Sequence, residues 1–219
     1  MNEQALKTWR TRLRAELVAR RLAADPEYRS KWNAAIEGHL ERLLTDVAGK
    51  IVAFCWPYQA EYDARSLILR LLARGARAAL PVVVAPRQPM IFREWTPLTQ
   101  MRPAVYDIPV PVDSPQVTPD IVLLAVAGFD DAGYRLGYGG GFFDRTLAAI
   151  APQPMTIGVG FELARVPTIY PQPHDIPLDY IVTELGIQRR DNGQLLLQAP
   201  VAQSGLCNRH LRRSTREDG

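Results

Sequence analysis

The first 47 residues carry apolar side chains at helical spacing, which predicts two amphipathic helices. The first helix spans residues 3–23, and its apolar face is formed by Leu6, Trp9, Leu13, Leu17 and Val18. Asp25 and Pro26 fit the N-cap and the first position of a second helix, which is expected to continue to about Val47. The apolar face of this second helix consists of Trp32, Ile36, Leu40, Leu43 and Leu44.

After residue 50, short apolar runs alternate with helical ones. The run from Lys50 to Cys55 is apolar at nearly every position, as is typical of a parallel strand that is covered on both faces. A helix from Glu61 to about Arg74 is expected next. Further strands are predicted at residues 77–84, 90–95, 121–127, 155–161 and 178–183, with short pieces to about residue 198. Residues 96–119 contain six prolines and predict a long surface connection.

Strands that alternate with helices indicate an α/β fold. We predict a single domain over residues 1–198, with a mostly parallel sheet, helices on both faces in a Rossmann-like three-layer arrangement, and a helical N-terminus. Residues 199–219 are polar, basic and without pattern, and are predicted to form a mobile tail. In folds of this kind, ligands bind beyond the carboxyl ends of the strands.

A glycine-rich segment follows the apolar run that ends at Ala127. From Gly133 to Arg145 it reads Gly-Tyr-Arg-Leu-Gly-Tyr-Gly-Gly-Gly-Phe-Phe-Asp-Arg. Glycines free the backbone to take positive φ and to approach a ligand without an intervening Cβ. At the start of a helix, such a loop presents backbone N–H groups, and the helix dipole favours negative charge. The segment therefore predicts a phosphate site, with Asp144 suited to Mg²⁺ and Arg145 suited to phosphate oxygens.

The glycine-rich segment departs from the common nucleotide motifs. It lacks a Gly-Lys-Ser/Thr ending, and Phe142 stands where a dinucleotide fingerprint has its third glycine. A tight strand-to-helix turn without a ligand is the alternative. A second carboxylate could complete a magnesium site, and the candidates are Asp130, Asp131, Asp175 and Asp179. Because the loop after Cys55 leaves the same edge of the sheet, we expect next to the glycine-rich segment Trp56, Tyr58 and Glu61.

Composition and charge narrow the class of protein. The chain has only two cysteines, no apolar N-terminal core and no run of about 18 apolar residues, which favours a reduced, cytoplasmic protein without a membrane partner. The net charge is only +3, but the first 21 residues hold Lys7, Arg10, Arg12, Arg14, Arg20 and Arg21. Since no nucleic-acid module is recognisable, we expect these residues to meet solvent or a small anion.

The segment from Gly133 to Arg145 resembles the signature of the 5-formyltetrahydrofolate cyclo-ligase family, in which a glycine-rich stretch precedes two aromatic residues and an Asp. The likeness extends over about residues 7–185 and includes the segments 54–63 and 174–184. It implies a monomeric enzyme that takes two small-molecule substrates, ATP and a reduced folate, with Mg²⁺ as cofactor. ATP would phosphorylate the formyl oxygen of 5-formyltetrahydrofolate, and ring closure would give 5,10-methenyltetrahydrofolate.

The same resemblance implies roles for individual residues. ATP would contact Arg10, Arg14, Arg135, Leu136, Gly137, Tyr138, Gly139, Gly140, Gly141, Phe142 and Phe143. The folate would contact Trp56, Glu61, Tyr138, Gly139, Gly140, Gly141 and Phe142. Mg²⁺ would be held by Asp144 and Asp175, and the catalytic residues would be Arg145 and Tyr138.

Three positions differ from the usual pattern of that family. Arg10 stands in place of a Lys, Val110 in place of a Glu, and Phe142 with Phe143 in place of two tyrosines. Two alternatives therefore stay open besides the cyclo-ligase. One is a paralogue that acts on another folate-like substrate, and the other is a non-catalytic paralogue that binds a nucleotide or RNA through its basic helix.

Overall fold

The structure, a computed structural model, describes residues 2–199 of the chain. Its α-helices are α1 (Glu3–Ala23), α2 (Pro26–Leu43), α3 (Arg65–Ala73) and α4 (Phe142–Ala149). Its strands are β1 (Ile51–Phe54), β2 (Arg77–Val82), β3 (Ile91–Trp95), β4 (Met101–Pro103), β5 (Pro109–Pro111), β6 (Gln116–Val117), β7 (Ile121–Ala125), β8 (Gly128–Phe129), β9 (Arg135–Leu136), β10 (Met155–Val159), β11 (Tyr180–Thr183), β12 (Gly186–Asp191) and β13 (Gln194–Leu197). Short 3-10 helices lie at Val105–Asp107 and Glu162–Ala164.

Each of the two N-terminal helices begins directly after a residue whose side chain caps it. The side chain of Asn2 accepts a hydrogen bond from the Ala5 amide at 2.8 Å. That of Asp25 accepts one from the Glu27 amide at 2.7 Å, in the manner expected of N-caps. The predicted range of α1 is confirmed, whereas α2 ends at Leu43 and not near Val47.

Helix α3 begins at Arg65, so the prediction that it starts at Glu61 is wrong. Gln59 and Ala60 both adopt positive φ, at 47° and 59°, and turn the chain sharply before the helix. The carboxylate of Glu61 then accepts a hydrogen bond from the Tyr58 amide, which stabilises this turn. Glu61 consequently lies in a loop after β1 and not in a helix. The direction of its side chain is therefore not set by helical geometry.

Nine strands form one mixed sheet in the order β13-β12-β11-β10-β7-β1-β2-β3-β6. The five central strands, from β11 to β2, pair in parallel, and the two strands at each edge run antiparallel. The prediction of a mostly parallel sheet is therefore right for the centre and wrong for both edges. Strands β3, β12 and β13 follow their neighbours after connections too short for the crossover that a parallel pair requires, whereas β6 follows β3 after the longer segment of residues 96–115. A Rossmann-like layout as such stays a prediction.

Helices cover both faces of the central strands, as predicted. Val52 and Phe54 of β1 face a core that includes α2 and α3. Ala53, between them, faces the opposite core, into which Leu147 of α4 packs. This alternation on a strand with two buried faces explains why the run is apolar at every position. Helix α1 packs separately, through Leu17, against β9 and the loop before β11.

Residues 96–119 were expected to be a connection without regular structure, and this expectation is wrong. The segment contains a two-stranded hairpin, in which Pro103 of β4 pairs with Pro109 of β5. Proline is tolerated here because a two-stranded sheet has edges on which no N–H group is needed. Val110 of β5 is buried, with 5% of its surface exposed. The hairpin therefore carries an inner face, which becomes important at the cavity described below.

Two further expectations concern the membrane and the tail. Between residues 2 and 199, no helix has the length and apolar character needed to cross a membrane. The predicted tail, residues 199–219, lies outside the described residues except for Ala199. The division into a domain and a tail therefore stays a prediction.

Candidate functional site

The functional cavity lies where the order of the parallel strands reverses. Numbered among themselves, the five parallel strands have the sheet order 2-1-3-4-5, so the connections that leave β1 and β7 run to opposite sides. Such a switch point opens a crevice at the carboxyl ends of the two strands. A cavity of about 890 Å³ occupies this position, with Cys55 and Trp56 after β1 and Ala125 at the end of β7 in its wall.

Every residue for which the sequence predicts a role lines this one cavity. These residues come from α1, the loop after β1, the glycine-rich segment and the loop before β11. They are Arg10, Arg14, Trp56, Glu61, Arg135, Leu136, Gly137, Tyr138, Gly139, Gly140, Gly141, Phe142, Phe143, Asp144, Arg145 and Asp175. The structure also adds an apolar wall that sequence reasoning missed, formed by Pro81, Val83, Met90, Val105, Ile108 and Val110.

Of the four carboxylates considered as partners for Asp144, the cavity wall includes only Asp175 among the described residues. Asp130 closes the turn between β8 and β9 by accepting hydrogen bonds from three backbone amides. Asp131 pairs with Arg165, just after the 3-10 helix Glu162–Ala164, and Asp179 accepts hydrogen bonds from Thr156. The start of the glycine-rich segment also forms β9, which pairs with β8 in a hairpin that the sequence pattern did not show.

The backbone N–H groups of the glycine-rich segment are not used by the fold. Across the described part of the chain, no N–H between Gly137 and Gly141 donates a hydrogen bond to another residue. Gly141 is the N-cap of α4, with φ of +62°, and no side chain caps this helix. Unsatisfied amides at a helix N-terminus favour an anion, through both hydrogen bonds and the helix dipole.

Two arginines hold the glycine-rich segment in place. Arg14 donates from Nε to the carbonyl oxygen of Gly137, and its guanidinium covers Gly139. Arg145 donates to the carbonyl oxygen of Gly140 and lies over the Phe142 ring, 5.3 Å from its centroid. The Nε atom of Arg145 is buried and has no hydrogen-bond partner within residues 2–199. The positive charge of Arg145 is therefore only partly satisfied by the protein.

We expect Gly139→Ala to lower the free energy of unfolding by about 1–3 kcal/mol, because its φ of +89° strains any residue with a Cβ. The added methyl group would also meet the Arg14 guanidinium at 3.2 Å. Gly137→Ala is the matched control, since no atom lies within 4 Å of a Cβ there and φ is not positive. Urea unfolding of both variants checks this prediction, and equal losses of stability would contradict it.

Both acidic residues of the predicted metal site are paired with arginine. Oδ1 of Asp144 accepts hydrogen bonds from Arg135 at 2.8 Å and from the Ile176 amide at 3.1 Å. Oδ2 of Asp175 lies 2.6 Å from Nη2 of Arg10. Burial acts to raise the pKa of Asp175, but the hydrogen bond from Arg10 and another from a backbone amide outweigh it and lower that pKa. Within the described residues, no three His, Cys, Asp or Glu side chains cluster as a metal site.

A second buried cluster surrounds Glu61. The hydroxyl of Tyr138 donates to Oε1 of Glu61 at 2.5 Å, and Nη2 of Arg21 donates to the same hydroxyl at 2.9 Å. Burial raises the pKa of Glu61, although the hydrogen bond from Tyr138 and the charge of Arg21 oppose this effect. The expected adjacency of the loop after β1 and the glycine-rich segment is thus confirmed.

Sequence reasoning missed Arg21, although a signal for it was present. Arg10, Arg14 and Arg21 are spaced by four and seven residues, so they lie along one face of α1. The first two line the cavity, and Arg21 is buried with 4% of its surface exposed. Three of the six basic residues near the N-terminus therefore do not form an outward basic surface, which removes much of the support for RNA binding by this helix.

Fold and cavity together define an α/β protein with a large cavity at the carboxyl edge of its parallel strands. The chain belongs to the 5-formyltetrahydrofolate cyclo-ligase family, whose sequence model matches residues 6–184. The resemblance carried by the glycine-rich segment is thereby confirmed.

Curated relatives of this chain are named 5-formyltetrahydrofolate cyclo-ligase. The 5-formyltetrahydrofolate cyclo-ligase of Mycolicibacterium smegmatis is 28% identical over 183 residues, which cover 80% of this chain and 93% of the relative. That of Escherichia coli K12 is 29% identical over 173 residues, with coverages of 75% and 94%. The solved structure of Aquifex aeolicus 5,10-methenyltetrahydrofolate synthetase matches 89% of this chain and 98% of its own, with a TM-score of 0.71 and 24% identity. The likeness to this structure supports the α/β fold.

Proposed function

We propose that this protein converts 5-formyltetrahydrofolate to 5,10-methenyltetrahydrofolate with ATP as co-substrate and Mg²⁺ as cofactor. One observation carries the proposal: the cavity joins the unbonded N–H groups of residues 137–141 to the buried carboxylate of Glu61. The N–H groups suit phosphate oxygens, and the carboxylate suits the donor-rich edge of a pterin. Tyr138 belongs to the glycine-rich segment and also bonds Glu61, so it links the two halves of the site.

The proposed reaction has two steps. The formyl oxygen attacks the γ-phosphorus of ATP, the bond from that phosphorus to the bridging oxygen breaks, and ADP leaves. The neighbouring amine of the folate then attacks the formyl carbon and loses its proton, and phosphate leaves with the formyl oxygen. Positioning and charge neutralisation dominate catalysis of phosphoryl transfer. The task of the protein is therefore to align the γ-phosphate with the formyl group and to exclude water.

Arginines support the triphosphate in this proposal. Arg145 faces the glycine-rich segment with a buried Nε that lacks a partner among the described residues, so it is suited to neutralise the transferred phosphoryl group. Arg14 crosses the segment and fixes its backbone through the Gly137 carbonyl. Arg10 has a different part, since it donates to Ile169, Tyr170 and Asp175 and thereby fastens the loop before β11 to α1.

The residues of the cavity fit a magnesium ion that is shared with phosphate. Oδ2 of Asp144 accepts no hydrogen bond within residues 2–199, so it is available as an oxygen ligand. In Asp175, Oδ2 is occupied by Arg10, and Oδ1 lies at 3.4 Å from Nη1 of Arg10. Mg²⁺ at nucleotide sites takes one or two carboxylates together with phosphate oxygens and water, so three protein ligands are not required. When bound beside the carboxylates of Asp144 and Asp175, the ion would help to neutralise the charge of the phosphate.

The folate half of the site has a polar end and an apolar wall. Glu61 accepts hydrogen bonds from the Tyr138 hydroxyl and the Tyr58 amide, and the remaining lone pairs of its carboxylate are available to a pterin. Trp56 is fixed beside it, with the guanidinium of Arg65 over its ring at 4.9 Å and the ring of Trp95 at 6.3 Å. The β4–β5 hairpin supplies part of the apolar wall, through Val105, Ile108 and Val110.

The proposal is tested by mixing the protein with 5-formyltetrahydrofolate, ATP and Mg²⁺ and following the absorbance of 5,10-methenyltetrahydrofolate. We expect product only when all three are present. The same assay with ATP omitted, or with EDTA added, is the control for a nucleotide- and metal-independent reaction. Folded protein that forms no product under these conditions would refute the proposal.

A second candidate function is supported by one observation. Val110 is buried in the apolar wall at the position where the family pattern has a Glu. A wall without this carboxylate would accept a folate-like substrate with fewer donors on that side. Comparing kcat/KM for 5-formyltetrahydrofolate with that for other N-formyl folates distinguishes the two candidates, because the second predicts that another compound is preferred.

The proposed setting is a cytoplasmic monomer. The chain has only two cysteines, in keeping with a reducing compartment. One chain supplies both the anion half and the folate half of the cavity, so the proposed chemistry needs no second copy.

A further inference from the structure

Arg21 is a buried positive charge next to the folate half of the cavity. Its side chain is 5% exposed, and that of Glu61 is 4% exposed. Nη2 of Arg21 lies 2.9 Å from the Tyr138 hydroxyl and 3.8 Å from Oε1 of Glu61. Nε donates to the carbonyl oxygen of Gln59 at 2.9 Å, in the sharp turn that precedes Glu61. Arg21 therefore contacts both the carboxylate's partner and the loop that carries the carboxylate.

We infer that Arg21 is a positioning residue that holds Glu61 and Tyr138 in the arrangement needed to bind the pterin of the reduced folate. This inference rests on the proposed function and assigns a role to a residue outside the predicted site. The hydrogen bonds form a chain, from Arg21 to the Tyr138 hydroxyl and from that hydroxyl to Glu61. Each member fixes the next, so a substrate meets a carboxylate whose direction is already set.

The geometry is more specific than a structural ion pair requires. A buried arginine can be neutralised by a carboxylate alone, yet here Arg21 and Glu61, paired at 3.8 Å, also share the Tyr138 hydroxyl, which accepts from the arginine and donates to the carboxylate. Tyr138 belongs to the glycine-rich segment, whereas Glu61 follows β1 and Arg21 lies in the last turn of α1. Arg21 thus connects the two halves of the cavity, because it contacts Tyr138 in the anion half and Glu61 in the folate half.

The charge of Arg21 has a second effect, on ionisation. The groups that face Glu61 are Arg21 from α1, Tyr138 from the glycine-rich segment, the Tyr58 amide from its own loop and the Cys55 thiol after β1. Of these, only Arg21 is positively charged. A positive charge favours the ionised carboxylate, so its removal raises the pKa of Glu61 further. If folate binding requires the ionised carboxylate of Glu61, then on acidification a protein without Arg21 would lose folate binding at a higher pH than wild-type protein does.

The test compares Arg21→Met, Arg21→Lys and Tyr138→Phe with wild-type protein. Arg20→Met is the matched control, because Arg20 is the neighbouring arginine, its side chain is 57% exposed, and among the described residues it pairs only with Glu16. For each variant, KM for 5-formyltetrahydrofolate, KM for ATP and the pH profile of kcat/KM for the folate are measured. Thermal unfolding establishes that each variant is folded.

For Arg21→Met we expect KM for the folate to rise about tenfold or more, as for loss of a hydrogen bond to a charged group, with KM for ATP unchanged. The acid limb of kcat/KM should move to higher pH by about one unit or more. Arg21→Lys should restore the position of this limb, since it keeps the charge. Tyr138→Phe should raise KM for the folate and move the limb in the same direction, because its hydrogen bond also lowers the pKa of Glu61.

The inference would be overturned if Arg21→Met folds and keeps the wild-type acid limb of kcat/KM. It would also be overturned if KM for the folate and KM for ATP rise equally in this variant. If Arg21→Met does not fold, the Tyr138→Phe variant provides the test. A wild-type acid limb of kcat/KM together with a wild-type KM for the folate in Tyr138→Phe would overturn the inference. Absence of turnover in wild-type protein refutes the proposed function and not this inference. In that case, the pH dependence of 5-formyltetrahydrofolate binding by the same variants gives the result.

Discussion

Replacing Asp144 with Asn is expected to reduce kcat by about 100-fold or more, in the range found when one preorganised electrostatic group is removed. The carboxylate combines two functions in the proposed site. Oδ1 neutralises the buried guanidinium of Arg135, and Oδ2 is available to Mg²⁺. An amide can still accept the hydrogen bond from the Ile176 amide, but it supplies no negative charge to either cation.

The dependence of kcat on Mg²⁺ concentration is the decisive measurement for Asp144→Asn. We expect the variant to need more Mg²⁺ for half-maximal rate and to lose about 1–3 kcal/mol of unfolding free energy, because Arg135 is left without its counter-ion. Asp46→Asn is the matched control, since its side chain is 90% exposed and pairs with a surface lysine. Wild-type kcat and Mg²⁺ dependence in folded Asp144→Asn would exclude a role for this residue at the metal.

Replacing Arg145 with Met is expected to lower kcat about 1,000-fold, the lower end of the effect of an arginine that neutralises a transferred phosphoryl group. Methionine keeps the apolar contact with the Phe142 ring and removes the charge. Nε of Arg145 is buried without a partner in the described residues, so the protein gains little from this charge in the absence of a ligand. The loss should therefore fall on catalysis and not on folding.

Rates at saturating ATP, together with thermal unfolding, check this expectation for Arg145→Met. Arg145→Lys should give an intermediate kcat, because it keeps the charge but not the planar fork of the guanidinium. Arg20→Met again provides a control on the protein surface. An Arg145→Met variant in which only KM for ATP changes would indicate ground-state binding and contradict the proposed role in the phosphoryl transfer step.

The centre of the fold could be predicted from the sequence, and its edges could not. Strands β1, β7 and β10 are covered on both faces, so they read as continuous apolar runs. Strands of two or three residues, such as β4, β5 and β6, are too short to produce a periodic pattern, and three prolines mask the β4–β5 hairpin. In addition, β6 pairs with β3, which precedes the whole β4–β5 hairpin in the chain. For the same reason, the apolar wall of the cavity was missed.

The candidate site was predicted best where a rule of topology applied. Glu61 was placed near the glycine-rich segment because both loops leave the carboxyl edge of the sheet, and the contact between Glu61 and Tyr138 agrees. The partners of individual arginines could not be foreseen. Arg10 pairs with Asp175, a residue that the sequence assigned separately to the metal. Such pairs depend on the reach and direction of long side chains, which spacing along the chain does not determine.

The contacts that attach α1 limit how early the binding cavity can form while the chain is being synthesised. Arg10 is held by acceptors that lie 159–165 residues later in the chain. A nascent chain can form this helix early, but the acceptors of Arg10 are not all present until the ribosome has passed residue 175. Until then, the guanidinium of Arg10 is left to solvent and to the polyanionic surface of the ribosome itself.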